Sequence, residues 1–281
     1  MLDLLASSPL FAGGCVFLLG LCVGSFLNVV IHRLPRMMEA EWQAEARQLL
    51  DLPAEAQPRF NLATPPSRCP HCGHAITPLE NIPLLSWLWL RGRCAACKTP
   101  IGLRYPLVEL ATALLSLLVF MAFGPSLQTL AALPLTWALI SLTLIDFDTQ
   151  LLPDQITLPL LWGGLLANLN GLFVPLETAV IGAMAGYLVL WSVYWLFKLL
   201  TGKEGMGYGD FKLLAALGAW LGWTMVPVIV LLSSVVGSVI GIAYLAVRKE
   251  SAPFAFGPYI AIAGFIALLW GPALVHAYLG G

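Results

Sequence analysis

Long apolar stretches constrain this chain more than any other feature. Of its 281 residues, 59% are apolar and only 10% are charged, whereas a soluble globular domain carries about 25% charged residues. A membrane-spanning helix needs roughly 20 mostly apolar residues. Eight stretches meet or approach that length: 10–31, 105–123, 127–145, 156–174, 176–200, 210–223, 225–247 and 254–279. The sequence therefore predicts an all-α polytopic membrane protein with about eight transmembrane helices.

Two of these stretches leave the number of spans open. The sixth, 210–223, is short, and the eighth is interrupted by Pro258 and Pro272. Because proline removes a hydrogen bond from a helix interior, seven spans or a re-entrant segment are alternatives to eight. The net charge of −1 gives no reason to expect a nucleic-acid partner, so the lipid bilayer is the partner that composition indicates.

Basic residues predict the orientation in the membrane. Nine of the 14 Lys and Arg residues lie between residues 32 and 104, and such residues accumulate in cytosolic loops. With eight spans and the N-terminus outside, the other five also fall at or near cytosolic ends. The acidic N-terminus and the long first apolar run predict a retained helix rather than a cleaved signal peptide.

The polar region divides the chain into three predicted parts. Residues 1–31 form the first transmembrane helix, 32–104 a cytosolic loop, and 105–281 the membrane bundle. Within the loop, Glu39–Leu50 is typical of a short amphipathic helix, and a Pro-rich linker follows.

The first span contains small and polar residues suited to helix packing. Gly20 and Gly24 are four residues apart, a spacing that permits close approach of a second helix, and Ser25 and Asn28 can form hydrogen bonds across helices. Packing alone is sufficient to explain these residues.

Two CxxC motifs indicate a metal site in the loop. They are separated by 21 residues and comprise Cys69, Cys72, Cys94 and Cys97. Four thiolates in this arrangement bind Zn²⁺ tetrahedrally. A pair of disulfides is the alternative, but thiols stay reduced in the cytosol. We therefore predict a small zinc-ribbon-like domain with a structural Zn²⁺ ion, and we expect His71 and His74 to lie outside the ligand set.

Two aspartates at the ends of apolar runs are the candidate catalytic residues. Asp146 closes the third run, and Asp210 follows the glycine-rich stretch Gly205–Gly209 where the sixth run begins. An ionisable residue at a membrane boundary is a functional hypothesis by default, and glycines allow close backbone approach. We expect the two to meet at the cytosolic edge of the bundle. On spacing alone, Asp148 remains an alternative to Asp146, and Asp154 is expected to cap the fourth helix.

A pair of carboxylates can hydrolyse a peptide without a metal or a covalent nucleophile. When two of them lie together they share a proton, because both cannot ionise cheaply. The ionised member acts as general base on water, and the protonated member polarises the scissile carbonyl and then protonates the amine. A proton relay in a transporter is the rival interpretation, which predicts flux across the bilayer.

Several motifs in order along the chain resemble one known family. They are Gly24-Ser-Phe-Leu-Asn-Val-Val-Ile-His-Arg-Leu-Pro35, the two CxxC motifs, Glu80-Asn-Ile-Pro-Leu-Leu-Ser-Trp87, Arg104-Tyr-Pro-Leu-Val-Glu109, Asp146-Phe-Asp-Thr-Gln-Leu-Leu-Pro-Asp154 and Gly207-Tyr-Gly-Asp210. Together they closely resemble the type IV prepilin leader peptidases of Gram-negative bacteria, from about residue 14 to the last span.

The resemblance implies a multi-pass inner-membrane aspartic peptidase of the GxGD class with a cytosolic active site. Such enzymes remove the leader from type IV prepilins and type II secretion pseudopilins, and many then N-methylate the new N-terminal residue with S-adenosylmethionine. In this family the first catalytic Asp lies seven residues before the Pro that corresponds to Pro153, which selects Asp146, and the second is Asp210. The tetracysteine loop is similar to that of bifunctional members, so methylation is expected; a peptidase without it is the alternative.

Overall fold

The computed structural model describes residues 8–53, 59–203, 205–248 and 255–279. Within them the chain is helical, and extended pairing is limited to two isolated bridges. The helices are α1 (Pro9–Leu49), α2 (Leu85–Trp89), α3 (Arg104–Phe123), α4 (Leu127–Thr149), α5 (Asp154–Ala167), α6 (Leu176–Thr201), α7 (Tyr208–Leu221), α8 (Met225–Arg248) and α9 (Gly257–Leu279). Each of them except the short α2 overlaps one of the eight apolar stretches, which confirms the predicted all-α polytopic class.

Five helices in the described part of the chain are long and apolar enough to cross a bilayer: α1, α3, α4, α6 and α8. Helices α5 and α7 have only 14 residues each, about 21 Å at 1.5 Å per residue. The number of complete crossings therefore stays a prediction.

The chain forms two compact units, Met1–Pro125 and Ser126–Gly281. The predicted division at residues 31 and 104 separates membrane segments from a polar loop and not compact units, so it stays a prediction. Of the predicted helix Glu39–Leu50, residues Glu39 to Leu49 are helical, but they continue α1 instead of forming a separate helix, and Leu50 follows the helix end. Pro35 lies inside α1 and does not end it; proline removes one hydrogen bond, and its neighbours Arg33 and Leu34 are buried with it.

In the first unit, α1 and α3 approach closely at the predicted glycines. A Cβ atom at Gly20 would lie 2.6 Å from Ala113 Cα, and one at Gly24 would lie 2.7 Å from Glu109 Cα. Asn28 Nδ2 donates a hydrogen bond to the Tyr105 carbonyl oxygen at 3.1 Å. The predicted small-residue packing and cross-helix bonding are thus confirmed for this pair.

A buried arginine attaches the segment before the first CxxC motif to α1. Arg33 is 8% exposed, and its guanidinium donates to the carbonyl oxygens of Asn61 at 2.9 Å and Pro65 at 2.7 Å. It also lies 5.6 Å from the centroid of the Phe60 ring. Because backbone carbonyls take the place of water around the charge, the loop is fixed at the point where α1 becomes polar.

Helix α7 is the core of the second unit. Every residue from Asp210 to Leu221 is buried except Lys212, so a 14-residue helix is covered by its neighbours. Asn168 is fully buried at the end of α5. Its amide donates to the carbonyl oxygens of Ala219 and Trp220, and its oxygen accepts from two backbone N–H groups of the following turn. The bonds from the Asn168 amide give partners to two carbonyl groups at the C-terminus of α7, which have no hydrogen-bond partner within the helix.

Paired glycines bring α6 and α7 into backbone contact. A Cβ atom at Gly182 would collide with the Gly218 carbonyl oxygen, and one at Gly218 would collide with the Gly182 carbonyl oxygen. Such contact replaces side-chain packing with van der Waals contact between backbones, which is a usual means of helix association in membranes.

We expect Gly218→Ala to destabilise the protein by about 1–3 kcal/mol, the usual cost of overpacking where the backbone must shift. The thermal unfolding midpoint in detergent should fall accordingly. Gly14→Ala is the matched control, because nothing lies within 4 Å of that helical position. An unfolding midpoint for Gly218→Ala equal to that of Gly14→Ala would contradict the close α6–α7 contact.

Candidate active site and metal centre

Asp146 lies buried in the last turn of α4. Asp146 is only 4% exposed, whereas Phe147 and Asp148 are exposed. The helix ends at Thr149, and the next residue, Gln150, takes a left-handed conformation with φ 56° and donates its N–H to the Asp146 carbonyl oxygen at 2.9 Å. In this last turn Asp146 is buried and Asp148 is exposed. Spacing in the sequence alone could not decide which of the two aspartates is buried.

Asp210 occupies the first turn of α7. Gly207 precedes the helix in an extended conformation, and the Asp210 N–H donates to the Gly207 carbonyl oxygen at 3.3 Å. The residue is 6% exposed. A carboxylate in the first helical turn is favoured by the positive end of the helix dipole, which offsets part of the cost of burying it.

The two aspartates form an unsatisfied buried pair. The charge of Asp146 acts on Asp210, and the Leu152 side chain lies against glycines beside both of them, Gly257 next to Asp146 Oδ2 and Gly209 next to Asp210. Asp146 Oδ2 and Asp210 Oδ1 are both buried and have no hydrogen-bond partner among the described residues. Buried polar atoms in folded proteins are nearly always hydrogen-bonded, so each exception requires a reason. A shared proton, a water molecule or a substrate group would satisfy both oxygens.

Gly257 and Leu152 complete the surroundings of the pair, and sequence reasoning missed both. A Cβ atom at Gly257 would lie 2.6 Å from Asp146 Oδ2, and one at Gly209 would lie 2.7 Å from Leu152 Cβ. The Leu152 side chain also contacts Gly257. The start of α9 therefore approaches the carboxylate with its bare backbone. The only local signal was a glycine at the start of an apolar run, which packing also explains.

Asp154 does not cap α5 as predicted. The N-cap position belongs to Pro153, and the Asp154 carboxylate instead accepts hydrogen bonds from Lys212 Nζ, 2.7 Å from each oxygen. This ion pair joins the first turns of α5 and α7. It gives Lys212 a partner other than the neighbouring Asp210, and it fixes the turn on which Asp210 lies.

An aromatic cluster supports the Gly-x-Gly-Asp turn from α6. Tyr208 lies against Tyr194 and Phe211, with ring centroids 5.4 and 5.2 Å away, and Tyr187 contacts Phe211 edge-on at 5.8 Å. Aromatic pairs at these distances add to the stabilisation from burial alone. The cluster holds the residue between the two glycines in place.

The two CxxC motifs form matching knuckles 25 residues apart in the chain. In the first, Cys69 N–H donates to the His74 carbonyl oxygen and Gly73 N–H to that of Cys69. The second knuckle has the equivalent pair of bonds: Cys94 N–H donates to the Thr99 carbonyl oxygen, and Lys98 N–H donates to the Cys94 carbonyl oxygen. Gly73 and Lys98 occupy the equivalent left-handed positions, with φ 72° and 61°. A left-handed conformation is unfavourable for a lysine, so the turn of the second knuckle imposes it on Lys98.

The four sulfurs fit a tetrahedral metal ion. The Sγ atoms of Cys69, Cys72, Cys94 and Cys97 all lie within 4.8 Å of one another, and those of Cys69 and Cys97 are 3.8 Å apart. Zinc–sulfur bonds of about 2.3 Å in a tetrahedron separate the sulfurs by about 3.8 Å. The cluster can therefore hold a metal ion.

Neighbouring groups favour the thiolate form at two of the cysteines. Hydrogen bonding by the Thr99 hydroxyl, and then by the Thr99 backbone, lowers the pKa of the Cys97 thiol to about 6. Hydrogen bonds from the backbone of Cys72 and then of His71 lower the pKa of the Cys69 thiol. The thiolate is the form that binds a metal.

His74 lies outside the ligand set and supports the first knuckle. Its Nε2 atom is 3.2 Å from both Glu80 carboxylate oxygens, and Glu80 also accepts hydrogen bonds from Thr77. The bond from the Thr77 backbone, followed by that from His74, lowers the pKa of Glu80.

A buried glutamate connects the loop to α3. Glu109 Oε2 accepts a hydrogen bond from the Leu84 N–H at 2.8 Å, so this carboxylate has a specific partner in the loop. Leu84 has φ 59° and ψ −48°, and Leu85 N–H donates to the Pro83 carbonyl oxygen. This is a strained γ-turn, and Glu109 holds it.

We expect the purified full-length protein to contain one Zn²⁺ ion per chain by elemental analysis, and Cys97→Ser to lose it. A structural zinc site contributes directly to folding, so chelation should also make the loop susceptible to limited proteolysis. Cys15→Ser is the control, since Cys15 belongs to α1 and not to the cluster. Unchanged zinc content in Cys97→Ser would refute the four-sulfur site.

Together, the fold and these sites define a helical multi-pass membrane protein with a tetracysteine cluster and a buried carboxylate pair. Residues 18–123 match the bacterial peptidase A24 N-terminal domain, and residues 133–242 match the type IV leader peptidase family. The chain belongs to the type IV leader peptidase family.

Relatives of similar length support this assignment. A prepilin leader peptidase/N-methyltransferase of Aeromonas hydrophila is 64% identical, over 99% of this chain and 98% of the relative. Proteins of the same name from Pseudomonas aeruginosa and Burkholderia pseudomallei are 60% and 52% identical, over 99% and 94% of this chain and 97% and 86% of the relatives. No solved structure matches the chain.

Proposed function

We propose that this protein removes the leader peptide from type IV prepilins and type II secretion pseudopilins and then N-methylates the new N-terminal residue. Asp146 and Asp210 are the catalytic pair in this proposal. The observation that carries it is the buried pair itself, with one unsatisfied oxygen on each carboxylate. The names of the relatives support both activities.

Peptide hydrolysis follows from one ionised and one protonated carboxylate. The ionised member removes a proton from the attacking water, while the protonated member donates a hydrogen bond to the scissile carbonyl oxygen. The tetrahedral intermediate collapses when the protonated member's proton reaches the leaving amine. Burial strengthens each of these electrostatic contacts relative to bulk water. Either member can take either role, since both have a free oxygen.

Backbone access is the second requirement of the reaction. A peptide substrate must approach in an extended form, and irregular backbone within a membrane is tolerated only inside protein or beside water. Gly209 and Gly257 present no side chain at the site, and Leu152 contacts both. We assign these three residues to positioning the two carboxylates and the substrate backbone.

Zinc at Cys69, Cys72, Cys94 and Cys97 has a structural role in this proposal. A site closed by four sulfurs leaves no position for a substrate, so the ion joins the two knuckles and takes no part in hydrolysis. When bound, it supplies the cross-link that a loop with little apolar core lacks.

S-adenosylmethionine is the proposed methyl donor. The described residues contain no strand–turn–helix of the kind that binds nucleotides through glycines, so the donor would require a different type of site. We assign no residue to it, and this half of the proposal depends on the relatives' names.

The proposed location is the bacterial inner membrane, with the active site facing the cytosol. The distribution of Lys and Arg along the sequence supports this orientation. The N-terminal segment of a prepilin, an apolar helix preceded by basic residues, would lie among the spans with its leader in the cytosol.

The proposal is tested by incubating the purified protein with an intact prepilin, with and without S-adenosylmethionine, and measuring the pilin mass. The expected result is leader release in both reactions and addition of one methyl group only with the donor. Leader release without methylation would show that the protein is a peptidase but not a methyltransferase. An intact prepilin, together with proton flux in proteoliposomes, would favour the transporter interpretation.

A further inference from the structure

The segment between the two knuckles presents an apolar surface to its surroundings. Trp89 is 88% exposed, Leu79 76%, Leu85 65% and Leu88 63%. We call these four residues the Trp89 face. Several large apolar side chains exposed on one short segment indicate a site of contact with a protein or a membrane.

The loop does not need these side chains for its own packing. Trp87 provides the inward-facing aromatic group: its Nε1 donates to the Ile101 carbonyl oxygen at 3.3 Å. Its ring packs against Gly92, where a Cβ atom would lie only 2.8 Å away. Helix α2 therefore has one side within the loop and leaves the Trp89 face uncovered.

Positive charge surrounds the Trp89 face. Arg91, Arg93 and Lys98 line a cavity of about 480 Å³ together with Trp89 and Leu90. Residues 59–104 contain six basic residues and one acid, Glu80, which gives a net charge of +5. Glu80 is already engaged by His74 and Thr77. Arg91, Arg93 and Lys98 are exposed, and the single acid of residues 59–104 is therefore not available to neutralise them.

The loop also lies between two helices of its unit that are candidate spans, α1 and α3. The start of α3 continues the apolar surface, because Leu103, Tyr105 and Leu107 are all exposed. If α3 spans the bilayer, the membrane surface lies near the start of α3, where the loop ends. Tryptophan and tyrosine are enriched at that depth, where lipid headgroups meet the acyl chains.

We propose that the Trp89 face is inserted into the interfacial region of the bilayer, with Arg91, Arg93 and Lys98 against the phosphates of anionic lipids. An apolar ridge beside basic residues is the pattern of interfacial membrane binding. This inference is independent of the catalytic proposal. It gives the metal-holding loop a fixed position against the membrane.

Hydrogen exchange of the full-length protein in lipid nanodiscs tests this proposal. In phosphatidylglycerol discs, amides of residues 85–90 should exchange about tenfold more slowly than in phosphatidylcholine discs, a factor that two basic contacts support. Arg91→Asn/Lys98→Asn should reduce the difference by about threefold or more, because only Arg93 of the three cations remains. Asparagine suits both positions because their φ values, 52° and 61°, are left-handed. Zinc content, measured in parallel, verifies that the knuckle is intact.

Arg59→Asn/Arg68→Asn is the matched control, with the same loss of charge in the same loop but outside the Trp89 cavity. It should preserve the lipid-dependent difference in exchange. Equal exchange in the two lipids, or a difference that Arg91→Asn/Lys98→Asn leaves unchanged, would overturn the proposal.

A photo-crosslinker distinguishes lipid from protein as the occupant. Benzoylphenylalanine placed at Leu88 in the full-length protein, in the anionic discs, should yield an adduct of phospholipid mass after illumination. An adduct to protein, or no adduct at all, would overturn the assignment to the membrane.

Discussion

Asp146→Asn and Asp210→Asn should each lower leader cleavage by about 10³-fold or more. Asparagine keeps the shape of the side chain but can neither accept the proton of water nor supply one to the leaving amine. Removal of one member of a unit that acts together abolishes most of the chemical step. The rate is measured as release of the leader from a purified prepilin, normalised to folded enzyme.

Asp148→Asn is the matched control for this prediction. Asp148 lies two residues from Asp146 and is exposed, so its variant should cleave within about twofold of wild type, the range expected for a surface substitution. Full activity in either buried variant, or a large loss in Asp148→Asn alone, would contradict the assignment of the pair.

Gly257→Ala should lower cleavage by about 10²-fold while the protein remains folded. The new methyl group would lie 2.6 Å from Asp146 Oδ2, so the carboxylate must move, and a displacement of about 1 Å at a reacting group can cost that factor. The φ angle of Gly257 is not in the left-handed region, so alanine fits the backbone there. Cleavage rate and thermal unfolding midpoint are measured on the same preparation.

Gly264→Ala separates this effect from overpacking in general. Gly264 lies in the same helix, α9, and a methyl group there would press on the flexible end of Leu217 instead of a carboxylate. We expect a modest change in stability and nearly normal cleavage. Equal loss of cleavage in the two variants would show that Gly257 acts only through packing.

The sequence was sufficient to predict the helices and the metal cluster because both follow from local patterns. Apolar runs near 20 residues must be helical in a bilayer, where every backbone group has to be hydrogen-bonded internally. The CxxC spacing places two sulfurs on one knuckle whatever the rest of the fold does. Close packing at Gly20 and Gly24 was predictable for the same reason.

Contacts between distant segments were not predictable. Nothing near Asp154 in the sequence indicates that its partner is Lys212, and nothing near Gly257 indicates that it contacts Asp146. The continuation of α1 to Leu49 was not predictable either, because the change from apolar to polar residues after residue 31 marks a change of surroundings and not a helix end. Asp146 could be separated from Asp148 only by resemblance until the end of α4 showed which side chain is buried.

The double variant Asp146→Asn/Asp210→Asn, given intact prepilin and pre-cut pilin in separate reactions with S-adenosylmethionine, provides the most direct test of the carboxylate pair. Because the pair is proposed to act in cleavage alone, we expect no leader release from prepilin and methylation of pre-cut pilin at the wild-type rate. Leader release by the double variant would contradict the central claim, since no other described residue is assigned to the cleavage chemistry.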